Sequence, residues 1–183
     1  VCFFRSRSMN LRSNELDATI QGHFAWDNLP QLALEWGHQY FPAWISTPKN
    51  RAPATDSVQF SFRSYNIESY LELFHFPVRG LSNAQVEGSY SFKNKKSFLK
   101  ARAPKLQYGQ YVFQQTEFHG QGDQDSLHLL GKMFRIQLND SISIPEASVL
   151  IDAHRDTADI RLMAGFSQAV DKADIRSRLI AYP

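Results

Sequence analysis

The chain has 183 residues, 43% of them hydrophobic and 21% charged, an ordinary balance for a globular protein that excludes disorder as a description of the whole. Lys and Arg number 20 against 18 Asp and Glu, and a net charge of +2 gives no field that would gather nucleic acid, so none is expected as a partner. The single cysteine, Cys2, leaves no internal disulfide, and no apolar run approaches the roughly 20 residues that span a bilayer, so the segment itself is not expected to be transmembrane.

The start, Val1-Cys2-Phe3-Phe4, has no initiating Met and no apolar stretch of signal-peptide length, which reads as a segment cut from a longer protein. Leu16, Ala18, Ile20, Gly22 and Phe24 alternate with polar residues and predict a strand. Asp27-Asn28 predicts a helix start, with Pro30 in a first turn that does not need its amide. Leu32, Trp36 and Tyr40 share one face of that helix, which should stop before Pro42. A Pro-rich connection over 46–55 follows. Val58, Phe60 and Phe62 predict the next strand, Asn66 a second helix start, Leu71 and Phe74 its apolar face, and Phe76-Pro77 its end. The order strand, Asn, amphipathic helix, Phe-Pro thus occurs twice in residues 1–80, a weak internal repeat that implies stacked units.

From 81 to 183 the pattern is an antiparallel β meander continuous with the first part. Ala84, Val86, Gly88, Tyr90 and Phe92 alternate, and Lys93 to Lys96 make a basic turn. Strands are then expected at Phe98 to Ala101, Leu106 to Tyr108, Tyr111 to Phe118, Leu127 to Leu138, Ile142 to Ile144, Ala147 to Ala153, Ala158 to Met163 and Ala173 to Ala181, with Gly120 to Asp125 as a turn. Several strands open on Asp, a hydroxyl residue and an apolar one: Asp56-Ser57-Val58, Asp125-Ser126-Leu127, Asp140-Ser141-Ile142 and Asp156-Thr157-Ala158. The fold class expected is mainly β: a curved antiparallel sheet meander, groove-like or half-barrel, with two short amphipathic helices. Short connections exclude a parallel α/β fold, which needs crossover helices.

Gly22-His23-Phe24 closing a strand before an Asn-capped helix, then Val86-Glu87-Gly88-Ser89-Tyr90 and Ala103-Pro104-Lys105-Leu106-Gln107-Tyr108-Gly109, resemble the TamB and AsmA-like envelope proteins, especially the long TamB-type chains of Bacteroidetes. The stretch from Ser148 to Leu162, two apolar strands about a His-Arg-Asp-Thr turn, is similar to the recurring unit of that family. The resemblance is one of pattern over most of the chain and carries no catalytic residue. It implies a periplasmic location in a parent anchored in the inner membrane. It also implies stacked strands curved into a trough with an apolar concave side, a role in outer-membrane biogenesis and lipid transport, and partners among phospholipid acyl chains, outer-membrane β-barrel clients and an outer-membrane assembly factor. The closely spaced helices and abundant Phe depart from the pattern.

A one-sided sheet of this length needs something to cover its apolar side. An acyl chain is one such cover, each buried methylene contributing roughly 0.8 kcal/mol. The residues expected to line the groove are Val86, Tyr90, Leu106, Tyr108, Phe113, Leu127, Leu129, Ile142, Ile144, Val149, Ile151, Ile160 and Leu162. The alternative is a closed β-sandwich with these residues as its core, acting as a binding module for a glycan or protein. The six histidines have no ligand spacing and no partner cysteines, so neither metal nor cofactor is expected. Asp152, Asp156 and Asp159 around His154 read as solvated turn residues, and no Gly-x-Ser-x-Gly elbow is present, so an enzyme is not expected. Lys96, Lys100 and Arg102 fall on one side of a strand, where they could meet anionic headgroups or simply be solvated. Trp26, Trp36 and Trp44 gather about the first helix as packing or as a partner anchor.

Overall fold

The computed structural model describes residues 6–46, 57–73, 75–165 and 173–181. Eleven strands form one antiparallel sheet: β1 (Arg7–Arg12), β2 (Leu16–His23), β3 (Ser57–Ser64), β4 (Val78–Arg79), β5 (Gln85–Ser91), β6 (Lys96–Tyr108), β7 (Tyr111–Gly122), β8 (Leu127–Gln137), β9 (Ser143–His154), β10 (Thr157–Ala164) and β11 (Ala173–Ile180). Their order is that of the chain, except that short β4 lies beside the far end of β6 while β5 pairs with its near end. Helix α1 (Leu29–Tyr40) follows a 3-10 turn at Trp26–Asn28, and α2 (Glu68–Leu73) precedes β4. The sheet is open: among the described residues β1 pairs only with β2, and β11 only with β10. The mainly β meander with two short helices is therefore what the chain forms, and the closed sandwich is not.

Period-two alternation in register divides the sheet into two chemically distinct faces. One transverse row runs Ile20, Phe60, Gly88, Leu99, Gly120, Leu129, Ile151 and Ile160 from β2 to β10. Its neighbour on the same face runs Ala18, Phe62, Val86, Ala101, Phe118, Gly131, Val149, Leu162 and Ile175. Large side chains lie over glycines in these rows: a Cβ on Gly88 would meet the Phe60 ring at 2.5 Å, and one on Gly131 would meet Phe118 at 2.7 Å. The opposite face carries cross-strand ion pairs, Lys100 with Glu87 at 3.7 Å, Arg102 with Glu117 at 3.2 Å and Arg178 with Asp159 at 2.6 Å. Two of the three basic residues expected on one side of β6 are thus already paired with carboxylates.

The structure corrects several expectations. Strands β6 and β9 are continuous where breaks were expected after Ala101 and Ile144. The reason is an interruption at one level of four strands, where Pro104, Gln115, Phe134 and Glu146 make no ladder pairs although the register on either side is unchanged. Gln115 and Glu146 have φ of 47° and 50°, and Pro104 has no amide to give. Across this line the apolar residues are three apart (Ala103 to Leu106, Met133 to Ile136, Ile144 to Ala147), so alternation shifts phase and looks like a break. Gly120 to Gly122 belong to β7, not to a turn. The turn starts at Asp123, whose Oδ1 accepts from the Asp125 and Ser126 amides, both at 2.9 Å. Likewise Asn139 Oδ1 accepts from Ser141 and Ile142 amides. The turn-forming carboxylate or amide therefore stands before the Asp of the Asp-hydroxyl-apolar pattern at these two turns, while Asp56 lies outside the described residues. The two helices are not equivalent units either: α1 has 12 residues and packs on the sheet, whereas α2 has six and buries none. The 46–55 connection, apart from Ser46 at its start, lies outside the described residues, as do Cys2 and Phe74.

Candidate functional site

Leu32, Trp36 and Tyr40 do share one face of α1, and that face meets the apolar side of the sheet. At its N-terminal end Leu32 packs with Phe24, Tyr90 and Phe92, joined by Ile20, Leu29 and Val58. At its C-terminal end Tyr40 packs with Leu127, Ala153 and Ala158, joined by Leu129 and Ile151, and Trp36 belongs to both clusters. A flat sheet would place β2 and β10 about 34 Å apart at about 4.8 Å per strand step, whereas α1 is only about 18 Å long. A helix that touches both groups requires the sheet to curl around it, with the apolar face concave.

Helix α1 is anchored at its C-terminal end by hydrogen bonds to two hairpins. The Tyr40 hydroxyl donates to the Asp123 carbonyl at 3.0 Å, and Gln39 Nε2 donates to the same oxygen. The Asp156 amide donates to the Tyr40 carbonyl at 2.9 Å, and Asp156 Oδ1 accepts from the Ala43 amide at 2.7 Å. The Tyr90 hydroxyl donates to Gln39 Oε1 at 2.8 Å. Burial raises the pKa of both Tyr90 and Tyr40, so both phenols are neutral donors. A side chain at Gly122 would collide with the Tyr40 hydroxyl, at 2.3 Å from the added Cβ, which is why glycine stands there.

Between α1 and the sheet lies a cavity of about 420 Å³, lined from the helix by Leu29, Leu32, Ala33 and Trp36 and from the sheet by Ile20, Val58, Leu99 and Leu129 among others. That volume falls within the usual range for small-molecule sites. Ser97 lines the same cavity, and its buried Oγ lies beside the Tyr40 hydroxyl, whose pKa it lowers by hydrogen bonding. Farther along the strands the row Phe62, Val86, Phe118, Val149 and Leu162 belongs to neither cluster under α1, and Phe118 is 37% exposed.

The expected groove residues divide accordingly. Tyr90 and Leu127 lie buried beneath α1, and Leu129, Ile151 and Ile160 share the row across the floor. Val86, Val149 and Leu162 lie in the next row. Leu106, Phe113 and Ile144 line up through Ile136 beyond the phase shift. Tyr108 sits at the β6–β7 hairpin, 53% exposed, and Ile142, 52% exposed, falls in the β8–β9 turn outside both strands, so neither is part of the floor. The sequence reading missed Ile20, Val58 and Phe60, which the alternation in β2 and β3 already marked as sharing a face, and the α1 residues that roof the cavity.

Among the described residues of the polar side, the acidic residues near His154 are each tied to a separate partner. Asp152 pairs with His128 Nδ1 at 2.5 Å, Asp159 with Arg178, and Asp156 with the Ala43 amide. Ser126 Oγ lies 3.3 Å from His128 Nε2, which completes a Ser-His-Asp line. The Asp125 and Ser126 amides that would have to stabilise an oxyanion are both held by Asp123, which also takes the Ser126 hydroxyl at 3.1 Å, so the line reads as a turn lock. Among the described residues no group of His, Cys, Asp or Glu is placed to hold a metal, and no helix is long and apolar enough to cross a membrane. Trp44 stacks on Phe41 at 5.5 Å and is 59% exposed, whereas Trp26 and Trp36 pack on the sheet. No family model, no curated protein and no solved structure matches the chain.

Proposed function

We propose that this chain is a non-enzymatic segment of a periplasm-spanning envelope protein whose apolar concave face shields lipid acyl chains, or the apolar side of an outer-membrane strand, from water. The observation that carries the reading is the run of apolar rows across the sheet, closed by α1 at one level, while among the described residues the row through Phe118 and Leu162 belongs to neither cluster beneath that helix. The cross-strand ion pairs of Lys100, Arg102 and Arg178 lie on the opposite face, so the two sides suit different surroundings. The unpaired outer edges of β1 and β11 support stacking on neighbouring strands of the same assembly or on a client strand. In this reading α1 is an end-piece: it stops the trough at the level of Tyr90 and Leu127, and lipid enters from the other end of the strands.

A photo-crosslinking residue tests the reading. Placed at Val149 or Leu162 it should capture phospholipid acyl chains from vesicles, and placed at Ser148 or Lys132 on the polar face it should not. Equal capture from both faces, or capture from neither, removes the trough.

A further inference from the structure

We infer that the cavity beneath α1 takes the methyl end of a phospholipid acyl chain, so that lipid loads into the trough tail-first and its headgroup stays toward the open end. This inference rests on the acyl-trough reading and adds the orientation of the bound lipid. Among the described residues no Asp, Glu, Lys, Arg or His lines the cavity. Its hydroxyls are engaged or set elsewhere: Tyr90 donates to Gln39, Ser97 is hydrogen-bonded with the Tyr40 phenol, and Ser89 stands in register with Gln59 and Phe98 on the other face of the sheet. A headgroup placed here would leave water and find neither a counter-ion nor a free hydrogen-bonding group.

A client strand fares no better. The strands of the floor are paired on both sides and α1 bonds within itself, so a peptide in the cavity would bury amides and carbonyls with nothing to meet them. A hydrocarbon chain has no such groups to satisfy, and apolar cavities stay dry and accept hydrocarbon. The direction follows from which end is shut. Tyr90 and Leu127, both buried, close one end, whereas Leu99 and Leu129 of the floor stand two residues from Ala101 and Gly131, in the row through Phe118 that lies outside both clusters under α1. A chain entering over that row reaches Trp36 with its free end, and Leu99 to Ala103 gives it about 14 Å of strand to lie along.

Two phosphatidylcholines test the inference on the unaltered chain, one carrying a diazirine at the methyl end of an acyl chain and one carrying it beside the glycerol ester. Each is loaded from vesicles of phosphatidylcholine, native mass spectrometry counts the bound lipid, and peptide mapping locates the crosslinks after illumination. The methyl-end probe should label Leu29, Leu32 or Trp36 on the cavity side of α1, several-fold more than it labels Leu34, which is exposed on the same helix. The ester-end probe should label the cavity residues at least five-fold less than the methyl-end probe does. Equal labelling of the cavity by both probes, labelling by the ester-end probe alone, or labelling of α1 confined to Leu34 overturns the inference. So does bound phospholipid that labels the strands but not α1, an outcome that leaves the trough standing. If no lipid binds, the trough falls and the inference with it.

Discussion

Asp156 joins three parts of the molecule: its amide donates to the Tyr40 carbonyl at 2.9 Å, its carbonyl accepts from the Ala181 amide at 2.8 Å, and its carboxylate accepts from the Ala43 amide at 2.7 Å. Its φ is 64°, as one of two positive-φ residues in the two-residue turn between β9 and β10. Asp156→Ala should cost about 1–3 kcal/mol in urea unfolding and raise amide exchange at Ala43. The sequence marks Asp156 as a turn residue only, because Ala43 is 113 positions away and nothing local announces it. Asp174 is tied to Arg161 at 2.7 Å and Arg176 at 3.2 Å, and the hydrogen bond from Arg161, followed by that from Arg176, lowers its pKa from 3.8 to about 2. A carboxylate with a depressed folded pKa contributes stability that is fully present above its unfolded value and is lost as pH falls through the folded one. Between about pH 4 and pH 2, β11 should therefore loosen from β10, seen as faster amide exchange in Ala173–Ile180, and Asp174→Asn should remove that pH dependence while leaving exchange at neutral pH already raised.

Element by element, alternation made most of the sheet legible, and α1 was legible from its four-residue apolar spacing and its Pro boundaries. Strand β1 was not, since Arg7–Arg12 is exposed throughout and offers only Met9 and Leu11 as apolar marks. The continuity of β6 and β9 was hidden by the phase shift, because Pro104 in β6 and the left-handed Glu146 in β9 look in sequence like loop residues. If Gln115 holds a strained backbone there, Gln115→Gly should keep or raise stability, by up to about 1 kcal/mol, whereas Gln114→Gly, one residue away in ordinary strand, should lower it by about the same amount. Paired urea midpoints decide between strain and accident at that position. The role of α1 was the least legible feature, since amphipathicity shows that a helix packs but not on which sheet face. Trp36, shared by both clusters, is the residue whose truncation should release α1: Trp36→Ala should cost about 3 kcal/mol and raise exchange along Leu29–Tyr40 before the sheet itself unfolds.

Taken whole, the molecule is an open sheet with one apolar and one ionic face, rolled about a helix that closes one end. The alternating pattern could not distinguish this from a closed sandwich, because both architectures place the same residues inside. What separates them is the absence of a second sheet over the described strands and the placement of α1 on the apolar side. The proposal that acyl chains cover this face rests on the row through Phe118 and Leu162, which among the described residues lies outside both clusters under α1 and leaves Phe118 37% exposed. Native mass spectrometry of the chain purified in the presence of phospholipid, followed by organic extraction, tests that claim most directly. The account predicts near-stoichiometric bound phospholipid that is lost in Leu162→Asp, a variant that still unfolds cooperatively. A lipid-free mass, with an unfolding transition indifferent to added phospholipid, would contradict it.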